Sequence, residues 1–119
     1  MKTRNDPRHL KRREIVQLLF SYLFQKDQQL PSPVVEIVNK IDQLDKEILE
    51  AAPEWPLERI NKIDLAILRL AVYEILIQKT QPVKVIVDEA VELAKEFGSE
   101  SSPAFINGVL GYILKKYLL

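Results

Sequence analysis

Six basic side chains lie within the first thirteen residues, and they form the densest cluster of potential ligand-binding groups in the chain. They are Lys2, Arg4, Arg8, Lys11, Arg12 and Arg13. Asp6 is the only acid among them, so residues 1–13, here called the arm, carry a net charge of +5. The remaining residues hold eleven basic and sixteen acidic side chains, a net charge of −5. The arm therefore predicts a polyanionic ligand, although a short basic terminus can equally be a flexible tail.

Catalytic side chains are scarce. The chain has no Cys, which excludes a thiol nucleophile, a disulfide framework and a Cys-ligated zinc site. The only histidine, His9, lies within the arm, where neither a catalytic triad nor a histidine metal site can be assembled around it. Asp88 and Glu92 share a helix face, but Lys84 and Lys95 flank them at ion-pair spacing. We therefore expect a protein that is not an enzyme and needs no cofactor.

The apolar segment that follows the arm resembles a secretory signal only superficially. Glu14 and Gln17 interrupt it, and residues 25–29 offer no small-residue cleavage site. It is also too short to span a bilayer. We expect a cytoplasmic protein with no membrane association.

Apolar residues recur at helical spacing along the chain, and no segment alternates as a strand would. The sequence therefore predicts a single all-α domain over residues 1–119. Prolines and helix-capping residues mark the ends of the helices. The helices are expected at about residues 7–26, 33–51, 63–77, 83–97 and 103–117.

The helix expected at residues 63–77 is the most apolar, with twelve apolar residues among fifteen. Such a helix must be enclosed by others on most sides. Its three charged residues are Asp64, Arg69 and Glu74. Because an isolated buried charge is costly, we expect these groups either to pair internally or to face a partner.

Four other residues carry specific structural expectations. Trp55, between two prolines, is expected to fold onto the core as a lid. Gly98 is expected to end its helix in the left-handed conformation. Gly108 and Gly111 lie inside the last helix, where close approach of another helix or a ligand would explain them.

Four segments in register resemble the NusB family of transcription antitermination factors. They are residues 12–20 (RREIVQLLF), 63–74 (IDLAILRLAVYE), 88–98 (DEAVELAKEFG) and 105–110 (FINGVL). The resemblance implies two perpendicular helical bundles that share a central helix. It also implies binding of boxA-type single-stranded nascent RNA together with the ribosomal small-subunit protein NusE. That complex joins the RNA polymerase antitermination complex and promotes processive transcription of rRNA operons.

The resemblance also assigns roles to residues. With the basic arm, it places RNA contacts at Arg8, Lys11, Arg12, Arg13, Lys95, Phe105 and Asn107. It places the protein partner near Phe20, Tyr22 and Asp64, and leaves Arg69 and Glu74 as structural residues. Core packing and helix capping are equally good explanations for Phe105 and Asn107.

The chain departs from the family pattern in two places. Gly111 stands where many members have an acidic residue, and the segment between Gln25 and Ile63 is short, so the N-terminal bundle is expected to be shortened. Two other functions remain open. One is a protein-only helical scaffold whose arm is a tail, and the other is the RNA-docking domain that is fused to RNA cytosine methyltransferases.

Overall fold

The described chain is helical throughout. The computed structural model describes residues 6–119, and no β-strand occurs among them. Its helices are α1 (Pro7–Tyr22), α2 (Ser32–Val38), α3 (Ile41–Ala51), α4 (Lys62–Tyr73), α5 (Val83–Phe97) and α6 (Ser102–Lys116). A 3-10 turn, Leu57–Arg59, precedes α4, and a π-helical turn, Glu74–Gln78, follows it. Within residues 6–119, none of the helices combines the length and the apolar composition that spanning a bilayer requires. The all-α prediction is confirmed.

Helix α4 is the centre of the structure. Every residue from 64 to 73 is buried, and α4 contacts each of the other five helices. Helices α1 and α2 pack together on the N-terminal side, while α5 and α6 pack together on the C-terminal side. This confirms the prediction of an enclosed central helix.

Two helices, α2 and α3, occupy the segment that was predicted as one. The break lies at Lys40, whose φ and ψ of −107° and 8° are not helical, and the Asn39 amide donates to the Val35 carbonyl to close α2. The break lets each helix bury its own apolar residues, which are Val34, Ile37, Leu44 and Ile48. With only seven residues in α2, the N-terminal bundle is short, as expected.

The beginning of α1 contains most of the described part of the arm. Pro7 occupies the first turn, and the Asp6 carboxylate accepts a hydrogen bond of 2.8 Å from the Arg8 amide. That hydrogen bond lowers the pKa of Asp6. Residues 7–13 thus form the first two turns of a helix rather than a flexible tail. Lys2 and Arg4, which the sequence analysis counts in the arm, lie outside the described residues.

The three glycines behave differently from the predictions. Gly98 has an extended conformation, with φ −92° and ψ −168°, so the left-handed cap was wrong. A Cβ there would clash with the Ser102 side chain of α6 and lie 2.8 Å from the Ala94 carbonyl oxygen, so close approach explains the glycine instead. Gly108 and Gly111 have open space where a Cβ would lie, so none of the helices described above approaches them. Both lie on the exposed side of α6.

Candidate nucleic-acid interface

A buried ion pair fixes the basic end of α1 to the end of α4. The Arg12 guanidinium donates two hydrogen bonds to the Glu74 carboxylate, of 2.9 Å from Nε and 2.8 Å from Nη2. Arg12 is only 7% exposed, and its hydrogen bonds to Glu74 raise its pKa. Because two parallel N–H groups on one edge of the planar guanidinium are engaged, the pair sets the orientation of α1 as well as its position.

Two further acids, both on α5, contact the same end of α1. Glu89 Oε1 lies 3.0 Å from His9 Nδ1 and 3.7 Å from Arg12 Nη1. Glu96 lies 2.9 Å from Arg13 Nε and 3.4 Å from His9 Nε2. The Arg13 guanidinium also lies 5.4 Å from the centre of the Phe97 ring. Much of the arm's positive charge is therefore neutralised by acidic side chains of the protein itself.

The cations of α1 that remain exposed are Arg8 and Lys11, here called the cationic rim. Arg8 lies 3.6 Å from Asp6, and Lys11 lies 3.7 Å from Glu14. Exposed ion pairs at these distances contribute little to stability, and they leave both cations able to bind another anion. The rim borders a cavity of about 280 Å³, which Arg12, Ile37 and Tyr73 also line. This arrangement suits a phosphate at the edge and an apolar or aromatic group inside.

The other predicted RNA-contacting residues lie on different helices. Lys95 is exposed on α5, with Glu92 3.7 Å away. Asn107 is exposed on α6. Phe105 is partly buried on α6 and lines a second cavity, which does not include the cationic rim. Neither of these two cavities joins all three side chains to Arg8 and Lys11.

The three charged residues predicted on the central helix differ in how their polar atoms are satisfied. Arg69 donates hydrogen bonds of 2.9 and 2.8 Å to Asp45 of α3, and Glu74 accepts those of Arg12. The prediction that Arg69 and Glu74 pair with other helices is confirmed. Asp64 is 4% exposed, and its Oδ1 has no hydrogen-bond partner among residues 6–119. Burial raises the pKa of Asp64, and an interaction with Ser102 opposes this rise.

The predicted partner-binding residues do not form one surface. Phe20 and Tyr22 are half-buried near the end of α1, where the Phe20 ring packs edge-on against the exposed Phe24 at 5.1 Å. Asp64 instead lines the second cavity with Trp55 and Phe105. Trp55 is 47% exposed, so the expectation of a lid closed over the core was wrong. A short loop with prolines on both sides holds the indole at the mouth of a cavity instead.

Comparison with known proteins agrees with this architecture. The family model described as the NusB family matches residues 24–115. The chain belongs to the NusB family. The solved structure of T. maritima NusB matches with a TM-score of 0.83 and 32% identity, and covers 98% of this chain and 94% of that chain.

Curated NusB relatives match over shorter stretches. The transcription antitermination protein NusB of Chloroflexus aggregans is 51% identical over 77 residues, which are 63% of this chain and 51% of that protein. The protein of the same name from Clostridium novyi is 50% identical over 84 residues, 67% of this chain and 63% of its own length. The chain thus spans between half and two thirds of the length of these two NusB relatives.

Sequence reasoning missed the acids that hold the arm. Glu89 and Glu96 appeared as ordinary charges of a surface helix, yet they contact His9 and Arg13. Their spacing of seven residues on one face of α5 was the available signal. Arg59 and Trp55, which line the second cavity, carried no periodic signal because they lie in an irregular segment.

The raised pKa of Asp64 predicts a pH dependence of stability. The folded protein holds the Asp64 proton more tightly than the unfolded chain, so this group's stabilising contribution is complete below the unfolded pKa of about 3.9. The contribution is lost as the pH rises through the folded pKa. Asp64→Asn does not titrate, so its free energy of unfolding relative to the unmodified protein should increase between about pH 3 and pH 7.

Urea unfolding at a series of pH values measures this difference. Asp42→Asn, on the exposed face of α3, controls for the loss of one carboxylate. A relative stability of Asp64→Asn that stays flat or falls with pH would show that burial does not penalise the Asp64 charge.

Proposed function

We propose that this chain is a non-enzymatic transcription antitermination factor that binds boxA-type single-stranded nascent RNA. It acts in the cytoplasm as a heterodimer with the ribosomal protein NusE. This complex joins the RNA polymerase antitermination complex and promotes processive transcription of rRNA operons. Membership of the NusB family and the names of the curated relatives support the proposal. The observation that carries it in this chain is the cationic rim of Arg8 and Lys11 beside a cavity.

The cationic rim supports RNA contact through elementary electrostatics. Phosphate contacts dominate the affinity of proteins for nucleic acid, and exposed Arg and Lys supply them. The adjacent cavity is lined by the aromatic ring of Tyr73 as well as by charged groups. Unpaired bases can enter such a cavity, whereas the bases of a duplex cannot. In this proposal Arg12, being buried, positions the rim and does not touch RNA.

The remaining predicted contacts extend the proposal along α5 and α6. Arg13 is half-buried and paired with Glu96, so its share of phosphate binding is smaller than that of Arg8. Lys95 and Asn107 are exposed and free of steric cover. In the proposal they contact the RNA beyond the cationic rim.

The end of α1 supports a protein partner. Phe24 is 64% exposed and forms an aromatic pair with Phe20, next to the half-buried Tyr22. Aromatic residues that protrude from a surface are common at the centres of protein interfaces. We assign NusE binding to this patch of Phe20, Tyr22 and Phe24. Asp64 lies outside the patch because it is buried in the second cavity.

The scaffold alternative depends on an arm that is only a tail. Residues 7–13 belong to α1, and His9 and Arg12 are buried, which weakens that premise. The methyltransferase-type docking domain shares the RNA-binding step with our proposal. Dependence of boxA binding on NusE separates the two.

The first test is the salt dependence of RNA binding. Each phosphate contact to a single strand contributes about 0.7 to the slope of log affinity against log salt concentration. Replacing both Arg8 and Lys11 by Ala should therefore weaken binding of a boxA-type oligoribonucleotide and reduce the slope by about 1.4. Fluorescence anisotropy with a labelled RNA, in the presence of NusE, measures both quantities.

A matched control removes two lysines elsewhere. Lys46 and Lys84 are exposed on α3 and α5, and their double replacement by Ala changes the net charge equally. An equal loss of slope in this control would contradict the assignment of the cationic rim.

The second test concerns the partner. Phe24→Asp places a charge in the proposed hydrophobic contact and should reduce NusE capture in a pull-down by at least about tenfold. Leu49→Asp, at an exposed position of α3, introduces the same charge outside the patch and should leave capture unchanged. If both variants bind NusE as the unmodified protein does, the partner lies elsewhere.

A further inference from the structure

The two arginines at the end of the arm are held by acids at different depths. Arg12 contacts Glu74 and Glu89, whose side chains are 8% and 3% exposed. Arg13 contacts Glu96 of α5, and both side chains of this pair are about a third exposed, at 35% and 33%. Dissolved anions therefore reach the pair of Arg13 and Glu96, whereas the pairs of Arg12 are closed to them.

The pair of Arg13 and Glu96 is also the less well formed of the two. Arg13 Nε lies 2.9 Å from Glu96 Oε2, but it makes no hydrogen bond with any described residue. The distance is short enough for a hydrogen bond, so the N–H group and the carboxylate oxygen are out of line. Arg12, in contrast, donates two aligned hydrogen bonds to Glu74. At Arg13 an incoming anion therefore competes with charge attraction alone.

The Phe97 ring gives the Arg13 guanidinium a second, uncharged contact. The guanidinium carbon lies 5.4 Å from the centre of the ring. A planar guanidinium above an aromatic face still has N–H groups at its edges that can bind an anion. Carboxylate and phosphate both fit such an edge. Arg13 can therefore exchange Glu96 for a phosphate and keep its contact with Phe97.

Glu96 lies between two side chains to which the proposed function assigns RNA contacts. It contacts Arg13 across the interface of α1 and α5, and it follows Lys95 directly along α5. Its carboxylate also lies 3.4 Å from Nε2 of His9. A negative charge at this position both occupies Arg13 and repels a phosphate that approaches it.

We propose that Glu96 is an internal competitor of RNA for Arg13, so that their contact is autoinhibitory. In the free protein Glu96 holds the guanidinium, and in the complex a backbone phosphate of the RNA takes its place. The displaced Glu96 then attracts a cation from solution, which offsets the counterion that the phosphate releases. The exchange therefore lowers the affinity and hides one phosphate contact from the salt dependence. This regulation rests on the proposed RNA-binding function.

Replacing Glu96 by Gln removes the competing charge and keeps the shape of the side chain. Helix α1 keeps its anchor in this variant, because Arg12 still binds Glu74. With NusE present, Glu96→Gln should bind an end-labelled boxA-type oligoribonucleotide about threefold more tightly, since a surface ion pair no longer has to be broken. The slope of log affinity against log salt concentration should become steeper by about 0.7, the contribution of one phosphate contact. Fluorescence anisotropy at several salt concentrations measures both quantities.

Two comparisons distinguish competition for Arg13 from general charge repulsion. Asp42→Asn, on the exposed face of α3, removes one negative charge elsewhere and should leave the slope unchanged. In a protein that already carries Arg13→Gln, the Glu96→Gln change should no longer steepen the slope, because no guanidinium is left to release. Thermal unfolding confirms that each variant is folded.

Three results would overturn the proposal. If Glu96→Gln binds the RNA no more tightly than the unmodified protein and with the same slope, Glu96 does not compete, and RNA binding by the cationic rim stands. A slope that steepens equally with and without Arg13 shows that Glu96 acts through its charge alone. Absence of RNA binding by the unmodified protein, with NusE present, removes the proposed function and the competition together.

Discussion

The ion pair between Arg12 and Glu74 is the interaction on which the rest of the structure depends. It is bidentate and buried, and it joins the first helix to the π-helical turn that ends the central helix. Two buried charges are costly to desolvate, but removing only one of them leaves an uncompensated charge, at about 3–5 kcal/mol. The pair therefore acts mainly as a geometric constraint. It holds the start of α1 in a position where Arg8 and Lys11 face outward together.

The packing of α1 also separates the cations that form ion pairs inside the protein from those that stay exposed. The arm carries a net charge of +5, yet Arg12, Arg13 and His9 contact acids of the protein's own helices. Those acids neutralise the cations that anchor the helix, whereas Arg8 and Lys11 stay exposed. Along the central segment the division is repeated, because Arg69 and Glu74 form ion pairs, whereas Asp64 Oδ1 has no hydrogen-bond partner among residues 6–119. The residues to which we assign a function, or an unmet hydrogen bond, thus lie towards the two ends of a central helix whose middle is core.

Local sequence signals predicted the helices and the burial of α4 because both follow from apolar periodicity. They could not predict the break at Lys40, since no proline or glycine marks it and packing of α2 and α3 on α4 decides it. Gly98 was assigned the commonest helix-ending conformation, but the close approach of the Ser102 side chain and of the Ala94 carbonyl explains the glycine. The burial of Arg12 depends on Glu74, which is 62 residues away along the chain. The positive charge of an arginine in the sequence therefore did not show whether its side chain pairs with an acid inside the protein or stays exposed.

Hydrogen exchange of the backbone amides in Glu74→Gln tests the anchoring role of this pair most directly. Replacing the carboxylate by an amide removes the charge of the Arg12 partner with little change in shape. Amides 10–13 of α1 should lose protection relative to amides 65–72 of α4, and amides 16–20 should lose less. Protection of amides 10–13 that stays equal to that of the unmodified protein, or that falls only in proportion to α4, would contradict the account.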